Sequence, residues 1–159
     1  MHHPIRRSLL VISAVSMSLA ACSGNSDNTT APAIESTTFA PVLGVDLAAS
    51  IKAPSGLYYR DMTVGTGATV ANGQQLSMRY TGWLANGTQF DSNVNGSPFG
   101  FRLGTGAVID GWDLGIVGMK VGGRRQLIIP SALGYGPGGN GSIPGNAILV
   151  FIVDVLSAQ

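Results

Sequence analysis

A chain of 159 residues with a formal charge of +1 carries no electrostatic footprint for nucleic acid, and its 45% hydrophobic content with 23 glycines argues for one folded, loop-rich domain rather than disorder. His2, His3 and Cys22 are the only imidazoles and thiol. All three fall at the N-terminus, which excludes Cys/His zinc sites, Ser-His-Asp triads and Cys-His pairs from the rest of the chain.

Residues 1–21 read as an export signal: Arg6 and Arg7 form a basic start, and Leu9 to Ala21 an apolar run of about 13 residues, shorter than the roughly 18 a membrane span needs. Leu19-Ala20-Ala21-Cys22 resembles a bacterial lipobox, which implies lipidation of Cys22 and a membrane anchor through it; a plain secretory signal cut near Ala21 is the alternative. Ser23 beside the cysteine points by the same resemblance to the outer membrane, with the domain in the bacterial cell envelope facing the periplasm. Without the leader, seven cations stand against eight acids.

Residues 22–50 are expected to be a flexible tether and strap. Ser23 to Ala33 has no apolar period, and Phe39, Val42, Leu43, Val45, Leu47 and Ile51 form either a short helix or a strap on the domain, with no heptads for a dimerisation arm. The chain is therefore read as a monomer. The folded domain spans 51–159. Leu57 to Met62 reads as a first strand. Leu76, Met78 and Tyr80 alternate with polar residues, which puts these three on the inner face of a second. Asn86-Gly87 predicts a two-residue type I′ hairpin turn returning Phe90 on the partner strand, and Phe99 with Phe101 marks another. Val108 to Met119 predicts a helix whose apolar stripe is Ile109, Trp112, Ile116 and Met119. Arg124 to Ile129 and Ala147 to Leu156 give two more strands, the second buried on both faces. Between them, Gly134 to Gly145 is too glycine-rich for a strand and suits a mobile flap. The pattern is α+β: a twisted antiparallel sheet of five to six strands wrapped around one short helix.

Trp112, Tyr80, Phe90, Phe99 and Phe151 are each plausible core residues, but with a helix across a sheet they converge with Ile109 on an apolar cleft. Asp91 reads as a carboxylate accepting hydrogen bonds in the cleft wall, or as a general base. Asp110 and Asp113 read as helix-start acids. No residue pattern calls for a metal or a cofactor.

Tyr80-Thr81-Gly82, Asn86-Gly87, Phe90-Asp91-Ser92, Pro98-Phe99, Val108-Ile109, Gly111-Trp112, Met119 with Val121-Gly122, Gly134-Tyr135-Gly136, Ile143-Pro144 and Leu149-Val150-Phe151 together resemble the FKBP-type peptidyl-prolyl cis-trans isomerases, here in a bacterial lipoprotein form. The resemblance covers about residues 54 to 157. It implies Trp112 as the floor beneath a proline ring and Tyr80, Phe90, Phe99, Val108 and Phe151 as walls. It further implies that the Ile109 amide and Tyr135 hydroxyl bond the substrate backbone, that Ile143 lies on the flap, and that Asp91 tunes the wall. Substrates would be unfolded or partly folded proline-containing polypeptides, exported ones in this setting, and macrolide inhibitors would bind the same cleft. A non-catalytic proline-peptide binding module or a holdase is the alternative. The loop from Ser92 to Ser97 is one residue shorter than in the best-known members and has no cation for Asp91.

Overall fold

The computed structural model describes residues 31–159; the expected signal peptide, Cys22 and the start of the tether lie outside the described residues. Seven strands form one antiparallel sheet: β1 Ile51–Lys52, β2 Tyr58–Thr63, β3 Gln75–Leu84, β4 Gln89–Ser92, β5 Phe99–Arg102, β6 Arg124–Ile129 and β7 Leu149–Ala158. Their order is β1-β2-β6-β7-β3-β4, and β5 shares the outer edge of β3 with β4. This is the expected α+β architecture, with the two-residue β1 as an added edge.

Alternation along β6 and β7 sends side chains to two separate cores. Leu127, Ile129, Leu149, Phe151, Val153 and Val155 join Leu57, Leu76, Met78 and Trp112 on the helix side. Ile128 and Val150 point the other way, where Ile34 and Leu43 of the segment before β1 cover them together with Tyr58 and Ile148. A strand covered on both faces needs apolar residues at every position, which is why β7 reads as a nearly continuous apolar run. The segment 31–50 is thus a strap laid over the sheet, with 3-10 turns at Ile34–Ser36 and Pro41–Leu43. Polar contacts fasten it. Gln126 Nε2 donates to the Leu43 carbonyl at 2.8 Å, Arg60 Nη2 to the Gly44 carbonyl at 2.9 Å, and the Ala40 N–H to the Ala85 carbonyl at 2.8 Å. Glu35 accepts from Lys52 Nζ at 2.5 Å and from the Tyr58 hydroxyl at 2.6 Å.

Two local expectations are corrected. The helix α1 runs only from Asp110 to Gly115, half the predicted length. Gly118 sits at φ +80°, a left-handed conformation that ends helical winding, so Ile116 and Met119 reach the core from the turn that follows. Arg125 on β6 secures this end by donating from Nη1 to the Gly115 carbonyl at 2.8 Å. The hairpin at Asn86-Gly87 is not type I′ either, because that turn needs positive φ at both central residues. Gly87 has φ +89°, yet Asn146 is the one non-glycine with positive φ among the described residues. Instead the Gly87 N–H bonds the Leu84 carbonyl at 2.9 Å and the Leu84 N–H bonds the Thr88 carbonyl at 2.9 Å, a longer loop with glycine in the left-handed position.

Candidate active site

The β3–β4–β5 edge and α1 diverge around a cavity of about 210 Å³ lined by Tyr80, Phe90, Asp91, Phe99, Ala107, Val108, Ile109, Trp112, Tyr135 and Phe151. Sites that enclose a whole small molecule run from roughly 300 to 1,000 Å³. This one suits a single ring of a longer chain.

Trp112 is 4% exposed and forms the floor. α1 can lie this close to β6 because Gly111 has no side chain: a Cβ there would stand 2.5 Å from Ile129 Cγ2. Around the indole the rings pack edge to face, Tyr80 at 4.9 Å and 80°, Phe151 at 5.3 Å and 82°, Phe99 at 6.1 Å and 75°, the arrangement that ring quadrupoles favour. Phe90 meets Phe151 at 5.4 Å. These two come together over Gly82, where a Cβ would lie 2.6 Å from Phe151 Cε1 and 2.7 Å from Phe90 Cζ.

The rings pack below, and the polar groups of the lining reach the cavity's open face. The Tyr80 hydroxyl donates to Asp91 Oδ2 at 2.6 Å. Burial first, and then the Asp91 carboxylate, push the Tyr80 phenol above its ordinary range, so it stays a neutral donor. Asp91 is exposed at the mouth and makes no ion pair among the described residues. Ile109 is the extended residue before α1 and its carbonyl accepts the Trp112 N–H at 2.9 Å. Among the described residues, the Ile109 N–H and the Tyr135 hydroxyl have no hydrogen-bond partner, and both residues line the cavity. The buried indole N–H of Trp112 is likewise unpaired among them.

Nine of the ten residues expected at the site meet here. Ile143 does not: it is 7% exposed and packs into the helix-side core, while the flap turns back through the Asn140–Ile143 bridge. Ala107 was missed, since a lone alanine before Val108 has no distinguishing pattern. Asp113, expected only as a helix-start acid, also accepts the N–H groups of Gly104 and Gly106 at 2.8 and 2.9 Å and so fixes the loop leading to Val108.

The profile of the FKBP-type peptidyl-prolyl cis-trans isomerase family matches residues 67–156. FK506-binding protein 4 of Rhizopus delemar is 56% identical over 109 residues, 68% of this chain and 28% of that protein. A peptidyl-prolyl cis-trans isomerase of Saccharomyces cerevisiae is 46% identical over 104 residues, 65% of this chain and 25% of that protein. The chain therefore spans about a quarter of the length of the curated relatives it matches. The crystal structure of AtFKBP13 superposes with a TM-score of 0.66 at 39% identity, covering 69% of this chain and 98% of that one. These relatives overturn the expected location. They come from a mould and a yeast and are not bacterial outer-membrane lipoproteins, so a bacterial cell envelope site facing the periplasm is withdrawn. That expectation rested on a basic pair and a short apolar run outside the folded domain, a pattern of low information compared with the site.

Proposed function

The chain belongs to the FKBP-type peptidyl-prolyl cis-trans isomerase family, and on that footing we propose that its Trp112-floored cavity catalyses rotation about X-Pro bonds in unfolded or partly folded polypeptides. The observation that carries this reading is the convergence of six aromatic rings with two unpaired donors, the Ile109 N–H and the O–H of one of those rings, Tyr135, on a cavity too small for more than part of a longer chain. The described residues hold no histidine or cysteine, and this reaction needs neither. Amide resonance sets a barrier of roughly 18–20 kcal/mol to rotation, with no bond to break.

A planar amide is more charge-separated than a twisted one. Seating the proline against the buried Trp112 and Phe151 rings displaces water from the amide and so disfavours the planar ground state relative to the twisted state. The Ile109 N–H and Tyr135 O–H hold the flanking carbonyls, so that the proline ring stays seated while the preceding carbonyl turns. Lowering the barrier by about 7 kcal/mol gives roughly a 10⁵-fold acceleration. Asp91 orients the Tyr80 phenol and moves no proton. All of these groups come from one protomer, so the reaction is proposed for the monomer, and FK506, the ligand in the name of the mould relative, is proposed to occupy the same cavity.

The test is an isomerisation assay on short X-Pro peptides with residues 31–159 and the Trp112→Ala variant. Saturable acceleration that the variant loses, with its circular dichroism unchanged, is the expected result. A folded chain that binds the peptide without accelerating it refutes the proposal and leaves a peptide-binding or holdase role.

A further inference from the structure

β3 is ten residues long, but its outer edge is covered in two separate pieces. β5 pairs with Gln75 to Met78 and β4 with Thr81 to Trp83, leaving no strand opposite Arg79 and Tyr80. Backbone groups in such a gap need other partners. The side chain of Asn93 supplies them. Its Oδ1 accepts the Tyr80 N–H at 2.7 Å and its Nδ2 donates to the Met78 carbonyl at 3.1 Å, as a neighbouring strand's peptide group would. The backbone N–H of Asn93 closes the Tyr80 carbonyl at 3.1 Å. The second use of Nδ2, a 3.3 Å bond to the Ser97 carbonyl, reaches the end of the loop that delivers Phe99.

One carboxamide thus ties together the backbone under Tyr80 and the entry to Phe99, two rings whose centroids lie 6.0 Å apart at the cavity. We propose that Asn93 is a positioning residue of the isomerase site: its side chain stands in for a missing strand rung and fixes Tyr80 and Phe99 at the spacing the substrate ring requires. This role rests on the isomerase reading of the cavity. The chemistry demands both ends of an amide, an acceptor for one N–H and donors for two carbonyls. Alanine and serine are too short to span the gap, and glutamine is one methylene too long. Aspartate keeps the acceptor and replaces the donors with an oxygen that faces two carbonyls.

That difference gives a test with its own signature. In Asn93→Asp the new carboxylate is disfavoured beside two carbonyl dipoles, which pushes its pKa above the ordinary value of about 3.9. As pH falls it protonates and regains one O–H donor, so kcat is expected to recover toward wild type in acid. Asp91, Tyr80 and Arg79, with Arg102 on β5 and Asp154 opposite Arg79 on β7, are the titratable or charged groups on the surrounding strands, and the wild-type profile carries their contribution. The experiment follows X-Pro isomerisation by NMR exchange, which needs no protease and works across pH, using residues 31–159 as wild type, Asn93→Ala and Asn93→Asp. Hydrogen exchange of the Tyr80 amide is read in the same samples.

Loss of the three side-chain hydrogen bonds is expected to lower kcat at least about tenfold in Asn93→Ala, with KM within about twofold, and to speed Tyr80 amide exchange at least about tenfold. A purely structural role would lower the melting temperature while sparing kcat of the folded protein, and it would give Asn93→Asp the pH profile of the wild type. Either result overturns the proposal. A wild-type chain with no turnover overturns the isomerase reading and this role with it. The Tyr80 exchange rates then still report whether Asn93 is the rung, so the two failures are distinguishable.

Discussion

Leu43 lies in the strap ahead of the first strand, yet it is 8% exposed and packs against Tyr58, Ile128 and Val150 on the back of the sheet. Leu43→Ala removes three buried carbons, a loss of about 2–3 kcal/mol at roughly 0.8 kcal/mol per methylene, with little added for a cavity because a surface strap can settle. The loss is also bounded from above. Once it exceeds the net free energy of docking, the strap detaches and further damage is not felt, since ordering each strap residue opposes docking by about 1–2 kcal/mol. Urea denaturation of residues 31–159 is the assay, with a third chain that begins at Ile51. The expected order of midpoints is wild type, then Leu43→Ala, then the shortened chain. The last also loses Ile34 and the bonds from Gln126, Arg60 and Tyr58. Equal midpoints for all three would refute the reasoning and make the strap a passenger.

Gly82→Ala places a methyl 2.6 Å from Phe151 Cε1 and 2.7 Å from Phe90 Cζ; relief must come from the two rings, so a stability loss of about 1–3 kcal/mol by denaturation and at least a tenfold fall in kcat/KM are expected. Arg125→Leu strips the bidentate bond to Asp61, at 2.7 and 3.0 Å, and the donor to Gly115 that ends α1. Because the Asp61 side chain is 36% exposed and can rehydrate, the expected loss is about 2–3 kcal/mol, below the 3–5 of a fully buried pair. The Lys52 ammonium and the Tyr58 hydroxyl hold the Glu35 carboxyl down at about 2, from an ordinary 4.5. Its stabilisation is therefore complete above pH 4.5 and is lost as pH falls toward 2. The difference in urea midpoint between wild type and Glu35→Gln should shrink over that window; a constant difference would mean the carboxylate is not held this way.

Strands were legible because burial imposes a period of two, and Leu76 and Met78 fall inward where the alternation places them. The helix was overread for the converse reason. Ile109, Trp112, Ile116 and Met119 keep helical spacing, but the last two reach the same core through a turn, and periodicity cannot tell the two apart. At the site, the aromatic residues were legible individually and the family resemblance assembled them. Asn93 and Arg125 were not legible at all. Each matters through backbone groups far from it in sequence, a gap along β3 and the end of α1, and neither gap nor helix end exists until the sheet has formed.

The cavity holds one acid, which on the proposal that the site disfavours charge separation needs a physical account. Asp91 is exposed at the mouth and shares its charge with the Tyr80 O–H, so the carboxylate keeps its hydration on one side and a strong hydrogen bond on the other. The phenol in turn is held neutral by burial and by that carboxylate. The one charge of the lining is thus held at the mouth on a hydrogen bond from a neutral phenol, and the buried Trp112 and Phe151 present aromatic surface. Polarity reaches the ring chiefly through donors aimed at carbonyls, where the twisting amide can use them. What must not give way is the spacing of the rings, since a misplacement of about 1 Å can slow a positioned reaction by 10²-fold. Where the one α-helix among the described residues has six residues, that spacing is kept by short ties from the sheet: Asn93 beneath Tyr80, the bare Cα of Gly82 against Phe90 and Phe151, and Arg125 at the Gly115 end of α1.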